Sequence, residues 1–192
     1  MLRAQIPVGR GRVGTVGDMV FRRVPRPVLV GATVLVVAAV VALVAFRGEA
    51  DDGPSHDEVR AVELGALGDG APVRLGDLLT DGPVVVNFFA EWCQPCRQEM
   101  PAFERVHQER GDEVTIVGVS IDHHARRGLE VVDETGVTYP TYADPTGEVL
   151  ALFEGTKMPT TVFVNPDGSV AATHMRELEA DDLRAEIDEL LA

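Results

Sequence analysis

The stretch Val84-Val85-Val86-Asn87-Phe88-Phe89-Ala90-Glu91-Trp92-Cys93-Gln94-Pro95-Cys96 decides how this chain is read. Its first six residues are β-branched or aromatic apart from one asparagine. Such an unbroken run suits a strand covered on both faces, as in parallel sheets flanked by helices. After Cys96 the period changes: Met100, Phe103, Val106 and His107 recur at helical spacing, which predicts a helix over 95–110 closed by Gly111. The two cysteines therefore sit where a buried strand hands over to a helix, and that context makes a Cys-x-x-Cys pair a redox candidate. At a helix start, backbone N–H groups and the dipole favour negative charge, so Cys93 is expected to have a lowered pKa and to be the attacking thiolate. Cys96, one turn further in, is expected to be more buried and to resolve the mixed disulfide.

Working outward, residues 114–120 read as a second buried strand, 125–135 as a helix stopped by Gly136, and 161–164 as a third strand. Asn165-Pro166-Asp167-Gly168 is a turn into a fourth strand at 169–174, and 180–191 is a closing amphipathic helix with Leu183, Ile187, Leu190 and Leu191 on one face. Upstream, strand signals begin at Val59, Asp69-Gly70 marks a hairpin turn between Leu64 and Val73, and Leu75 to Leu79 reads as a helical turn. This alternation predicts an α/β sandwich with a mixed central sheet flanked by helices and an N-terminal β-hairpin extension.

The domain plan is uneven in charge. Residues 1–47 carry +6 and residues 48–192 carry −20. An acidic main domain repels phosphate backbones, so nucleic acid is excluded as its partner. Val28 to Phe46 is an apolar run of nineteen residues, which as a helix spans ~28 Å, about the hydrocarbon thickness of a bilayer. Arg22, Arg23 and Arg26 precede it, while Glu49, Asp51 and Asp52 follow. The positive-inside rule then places the N-terminus in the cytoplasm and the main domain outside. The expected divisions are a basic cytoplasmic tail at 1–27, a transmembrane signal-anchor helix at 28–46, a linker at 47–58 and the folded domain at 59–192. A cleaved signal peptide ending near Gly48-Glu49-Ala50 is the competing interpretation, with the same outer location for the domain.

Only two cysteines are present. The loop between them is too short for a large stabilising effect, so chemistry explains them better than scaffolding. Zinc would need further ligands, and His56, His107, His123, His124 and His174 show no second-pair spacing. Glu99, three residues after Cys96 on one helix face, is a candidate to carry a proton to or from the resolving cysteine.

Several blocks together resemble the TlpA/ResA-like membrane-anchored thiol-disulfide oxidoreductases of the thioredoxin superfamily. They are Val86 to Pro101, Gly136-Val137-Thr138-Tyr139-Pro140, Asp144 with Gly147, and Met158 to Gly168. The resemblance covers about residues 59–191 and implies a thioredoxin-like fold with no cofactor beyond a redox-active Cys93–Cys96 disulfide, and no metal. It implies that Pro159 is a cis-proline whose preceding residue, Met158, offers backbone hydrogen bonds to an extended substrate, and it supports Glu99 as part of the active site. Ordinary thioredoxins carry a buried aspartate where this chain has Asn87, so Glu99 or Glu91 must serve if a carboxylate does. Gln94 and Pro95 tune the potential, and Trp92 is expected to pack under the active-site loop and shape the substrate surface. Lys157 reads either as a positive charge placed near the thiolate or, the favoured reading, as a solvated loop residue, and His123-His124 as an exposed pair without a role. Phe153 to Lys157 and Met175-Arg176 depart from the family's usual pattern.

The expected function is an extracytoplasmic oxidoreductase that reduces protein disulfides, apocytochrome c being the family's best-known client, with electrons from a membrane thiol carrier. A disulfide-forming oxidase or isomerase differs only in reduction potential. A thiol peroxidase shares the fold, but no Pro-x-x-x-Thr-x-x-Cys pattern occurs. A non-enzymatic copper or haem chaperone is the reading from another class, and relatives of that kind usually space their cysteines by three residues.

Overall fold

The computed structural model of the protein describes residues 53–192. The expected tail at 1–27, the apolar span at 28–46 and the first part of the linker lie outside the described residues. Among the described residues no helix is long and apolar enough to cross a membrane.

The helices are α1 (His56–Ala61), α2 (Leu75–Leu78), α3 (Gln94–Arg110), α4 (Ala125–Thr135), α5 (Glu148–Leu152) and α6 (Ala180–Leu190). The strands are β1 (Glu63–Ala66), β2 (Val73–Arg74), β3 (Val84–Phe89), β4 (Thr115–Ser120), β5 (Thr141–Ala143), β6 (Thr160–Val164) and β7 (Val170–His174). They form one seven-stranded sheet in the order β2-β1-β5-β4-β3-β6-β7. β3 runs parallel to β4 and antiparallel to β6, and the β1–β2 hairpin joins the sheet through antiparallel pairing with β5. The sheet is mixed, helices cover it, and the architecture is thioredoxin-like.

All six residues of β3 are buried. Because strand side chains alternate between faces, Val84, Val86 and Phe88 join the core built with Val59, Leu64, Leu75 and Phe153. Val85 and Phe89 join the opposite core, with Phe103, Leu183 and Ile187 from α3 and α6. Asn87 has the parity of Val85 and Phe89, so the strand's one polar side chain points at α3. Each fully buried Phe or Leu contributes about 1.5–3 kcal/mol, and this two-sided core holds the site rigid.

The expected linker at 47–58 needs correction at its end. Ser55-His56-Asp57-Glu58 is a capping box: the Glu58 carboxylate accepts from the Ser55 N–H at 2.9 Å, and the Ser55 hydroxyl oxygen accepts from the Glu58 N–H at 3.3 Å. A helix therefore starts at His56, and Val59 lies in it rather than in a strand. β5 and α5 were not anticipated. Three- and five-residue elements carry too few periods to show in a pattern, and the buried Asp144 carboxylate fixes them by accepting from the Leu150 N–H at 2.9 Å.

Candidate active site

Cys93 caps α3, and its sulfur accepts from the Cys96 N–H at 3.2 Å. The two sulfurs are joined at 2.04 Å. Cys93 keeps 3 % of its surface exposed and Cys96 none, the order expected of an attacking and a resolving thiol. Cys96 Sγ stands 4.0 Å from the Phe88 carbonyl oxygen, an acceptor for its thiol in the reduced form. Gln94 and Pro95, both exposed, fill the first turn. Proline is favoured there because the first helical N–H groups have no partner within the helix.

The Met158–Pro159 bond is cis. β6 pairs Thr160 with Phe88, so the Met158-Pro159 bend lies just past that pair, beside the end of β3 from which the cysteine loop departs. Pro159 is buried and Met158 half-buried.

Glu99 is the main polar finding. It is 1 % exposed; its Oε1 accepts from Asn87 Nδ2 at 2.7 Å, and its Oε2 accepts from the Leu178 N–H at 3.0 Å. Asn87 Nδ2 also reaches Thr161 Oγ1 at 3.2 Å, while Asn87 Oδ1 is buried without a partner among the described residues. Burial pushes the Glu99 carboxyl up to about 7; the Leu178 N–H and the Asn87 amide oppose this, and the Glu177 charge adds to it. A carboxyl poised near neutrality one turn from Cys96 can hold or release a proton at working pH. Tyr139 is buried with its hydroxyl unpartnered among the described residues, and burial together with the Glu99 and Glu104 charges holds that hydroxyl in its neutral form.

The structure separates Glu91 from this role. Its carboxylate forms an ion pair with Arg127 at the surface, whereas Glu99 is buried. Its backbone N–H donates to Asp122 at 2.9 Å and its carbonyl accepts from Arg97. Trp92 also differs from expectation. It is 67 % exposed, and the residue before it is held to α3 and the β4 end through its backbone. Trp92 thus borders the thiol surface rather than supporting it from below, and it lines a groove of about 550 Å³ with Ile121, His123, His124, Arg127 and Pro145. Lys157 is an exposed loop residue, as expected. Among the described residues no three His, Cys, Asp or Glu side chains gather as a metal-binding group.

Sequence reasoning missed Leu178, Thr161, Asp122, Arg97 and Arg127. Leu178 is 79 positions from Glu99 and Thr161 is 74 from Asn87, and nothing local marks a backbone N–H or a strand hydroxyl as a partner for a distant side chain.

The family model described as the AhpC/TSA family matches residues 56–173. The thiol-disulfide oxidoreductase ResA of Oceanobacillus iheyensis is 31 % identical over 162 residues, covering 81 % of this chain and 84 % of that protein. ResA of Bacillus subtilis is 30 % identical over 102 residues, 53 % of this chain and 56 % of that one. Among solved structures, MTB DsbF, described in mixed oxidised and reduced forms, matches with a TM-score of 0.62 at 31 % identity, covering 68 % of this chain and 96 % of its own. A DsbF homologue from Corynebacterium diphtheriae matches at 0.60 and 33 % identity, covering 69 % and 85 %. With a cysteine pair at a helix start, a cis-proline beside it and this similarity over most of the chain, the protein belongs to the AhpC/TSA family as a thioredoxin-fold thiol-disulfide oxidoreductase of the ResA/TlpA-like kind.

Proposed function

We propose that residues 28–46 anchor the protein in the cell membrane with the N-terminus in the cytoplasm, and that the outer domain reduces disulfides of other proteins, apocytochrome c among them. The observation that carries the chemistry is the Cys93–Cys96 pair with Glu99 buried one turn behind it. The Cys93 thiolate, favoured by the helix start, attacks a client disulfide and forms a mixed disulfide while one client sulfur leaves. Glu99 takes the Cys96 proton, the Cys96 thiolate attacks Cys93 Sγ, and the second client sulfur leaves with the electron pair and is protonated. Two electrons have then passed to the client, and a membrane thiol carrier restores the dithiol. An extended client segment lies against Trp92 and the Met158 backbone. The reducing direction is supported by topology, since a reductant in an oxidising compartment benefits from a tether near its electron source.

The test is the equilibrium reduction potential of the full-length protein in detergent, titrated against dithiothreitol and glutathione buffers. A value near or below about −270 mV supports a reductant; one near about −120 mV makes this a disulfide-forming enzyme instead. A Cys93→Ala variant is expected to lose all activity, and full biological activity in it would favour a chaperone module.

A further inference from the structure

Glu99 must load and unload a proton in every cycle, yet it is 1 % exposed. On the proposed function an extended client in the mixed disulfide lies over Cys93, Trp92 and the Met158-Pro159 bend, so the thiol face is the client's side. A second opening exists. A groove of about 500 Å³ between α3 and the start of α6 is lined by Glu99, Ala102, Arg105, Glu177, Leu178 and Arg184, and by none of the client-facing residues. The Leu178 N–H that holds Glu99 Oε2 belongs to the peptide unit joining Glu177 to Leu178, so the residue that covers Glu99 follows directly on the exposed Glu177.

We propose that Glu99 exchanges its proton with solvent through this groove, with the Glu177 carboxylate as the relay at its mouth. The inference rests on the reading of Glu99 as the base for Cys96. The charged or titratable groups around Glu99 are Glu177, Glu179, Asp181 and Arg184 from the loop and α6, Arg105 from its own helix, and Tyr139 from the far side. Arg184 is engaged by Glu109 and Asp181, Arg176 by Asp182 and the Glu177 carbonyl oxygen, and Arg105 by the Pro101 carbonyl oxygen, and among the described residues the Glu177 carboxylate has no ion-pair partner. The steps balance. Cys96–SH gives its proton to the Glu99 carboxylate; the Cys96 thiolate displaces the client sulfur from Cys93; Glu99–COOH then passes its proton to the Glu177 carboxylate, which yields it to water. When the carrier reduces the disulfide again, the proton returns to Cys96 by the same route.

The test mixes the reduced full-length protein in detergent with an excess of an extended, tryptophan-free peptide dimer linked by one disulfide and follows Trp92, the only tryptophan, by stopped-flow fluorescence. The phase that no longer depends on peptide concentration is the attack by Cys96. Glu177→Gln is expected to slow it severalfold, added imidazole to restore it in proportion to its concentration, and Glu177→Asp to keep it near wild type. An unchanged rate in Glu177→Gln, or a slowed one indifferent to imidazole, overturns the relay. Glu99→Gln separates the two readings: a slowed phase keeps Glu99 as the base whatever Glu177 does, and a wild-type phase removes the base and the relay with it.

Discussion

Arg97 donates from both Nε and Nη2 to the carbonyl oxygen of Glu91, at 3.2 and 2.7 Å. A side chain one residue past Cys96 thus holds the backbone two residues before Cys93. On the other side of the same residue, Asp122, 6 % exposed and bonded to the Ser120 hydroxyl, accepts the Glu91 N–H. The loop that carries Trp92 into Cys93 is therefore fixed at both the N–H and the carbonyl of Glu91.

Releasing that carbonyl should act on reactivity more than on stability, since small misplacements of reacting groups are costly while partly exposed polar contacts contribute little to folding. Arg97→Ala is expected to slow alkylation of reduced Cys93 by iodoacetamide about tenfold while shifting unfolding by no more than about 1 kcal/mol. Arg97→Lys should recover only part of the rate, because one ammonium does not reproduce the planar two-donor contact. Wild-type alkylation in Arg97→Ala would show that the clamp is incidental.

The raised Glu99 carboxyl carries a signed pH dependence. Burial lifts it from 4.5 to about 7, so between those values the folded protein keeps a proton that the unfolded chain releases. The stability linked to Glu99 is fully present below about pH 4.5 and is lost as pH rises toward 7, by about 3 kcal/mol. Urea unfolding of the disulfide form at pH 5 and pH 8 measures this without interference from the thiols. Glu99→Gln is expected to remove most of the difference, and a variant with the wild-type slope would assign it elsewhere.

Asn87 serves a neighbour that changes protonation state. Its Nδ2 donates to ionised Glu99, and its unpartnered Oδ1 can accept from the protonated acid after the amide flips. Asn87→Asp sets a second carboxylate against the first in a buried site, where both cannot be charged. The pair is then expected to titrate in two separated steps, one above the wild-type midpoint, as followed by carboxyl infrared bands. A single unshifted titration would mean the two groups do not interact.

Trp92 contributes surface, not core. Trp92→Ala is expected to leave the unfolding midpoint within about 0.5 kcal/mol of wild type, because the indole is mostly exposed. Reduction of a protein disulfide should slow about tenfold while reduction of glutathione disulfide stays within about twofold, since an exposed aromatic at an interface acts through an extended partner. Equal losses on both substrates would place Trp92 in the chemistry instead.

The sequence alone determined what depends on periodicity and short spacing: the buried run of β3, the amphipathic α3 and α6, the hairpin, and the placement of Cys93 and Cys96 at a strand-to-helix junction. Glu99 was legible as well, because three residues on a helix put two side chains on one face. Ser55 and Glu58 also carried a legible helix start, which the polar composition around them obscured. Tertiary structure decided what those residues do. Glu91 and Glu99 are both glutamates near the cysteines, and packing separates their environments, leaving the first at the surface opposite Arg127 and closing the second beneath Leu178 and beside Asn87. Proton affinity follows from burial and from partners remote in the chain, and neither is a property of local sequence. Trp92 is a parallel case: its hydrophobicity alone suggested a packed position, and the fold leaves it mostly exposed.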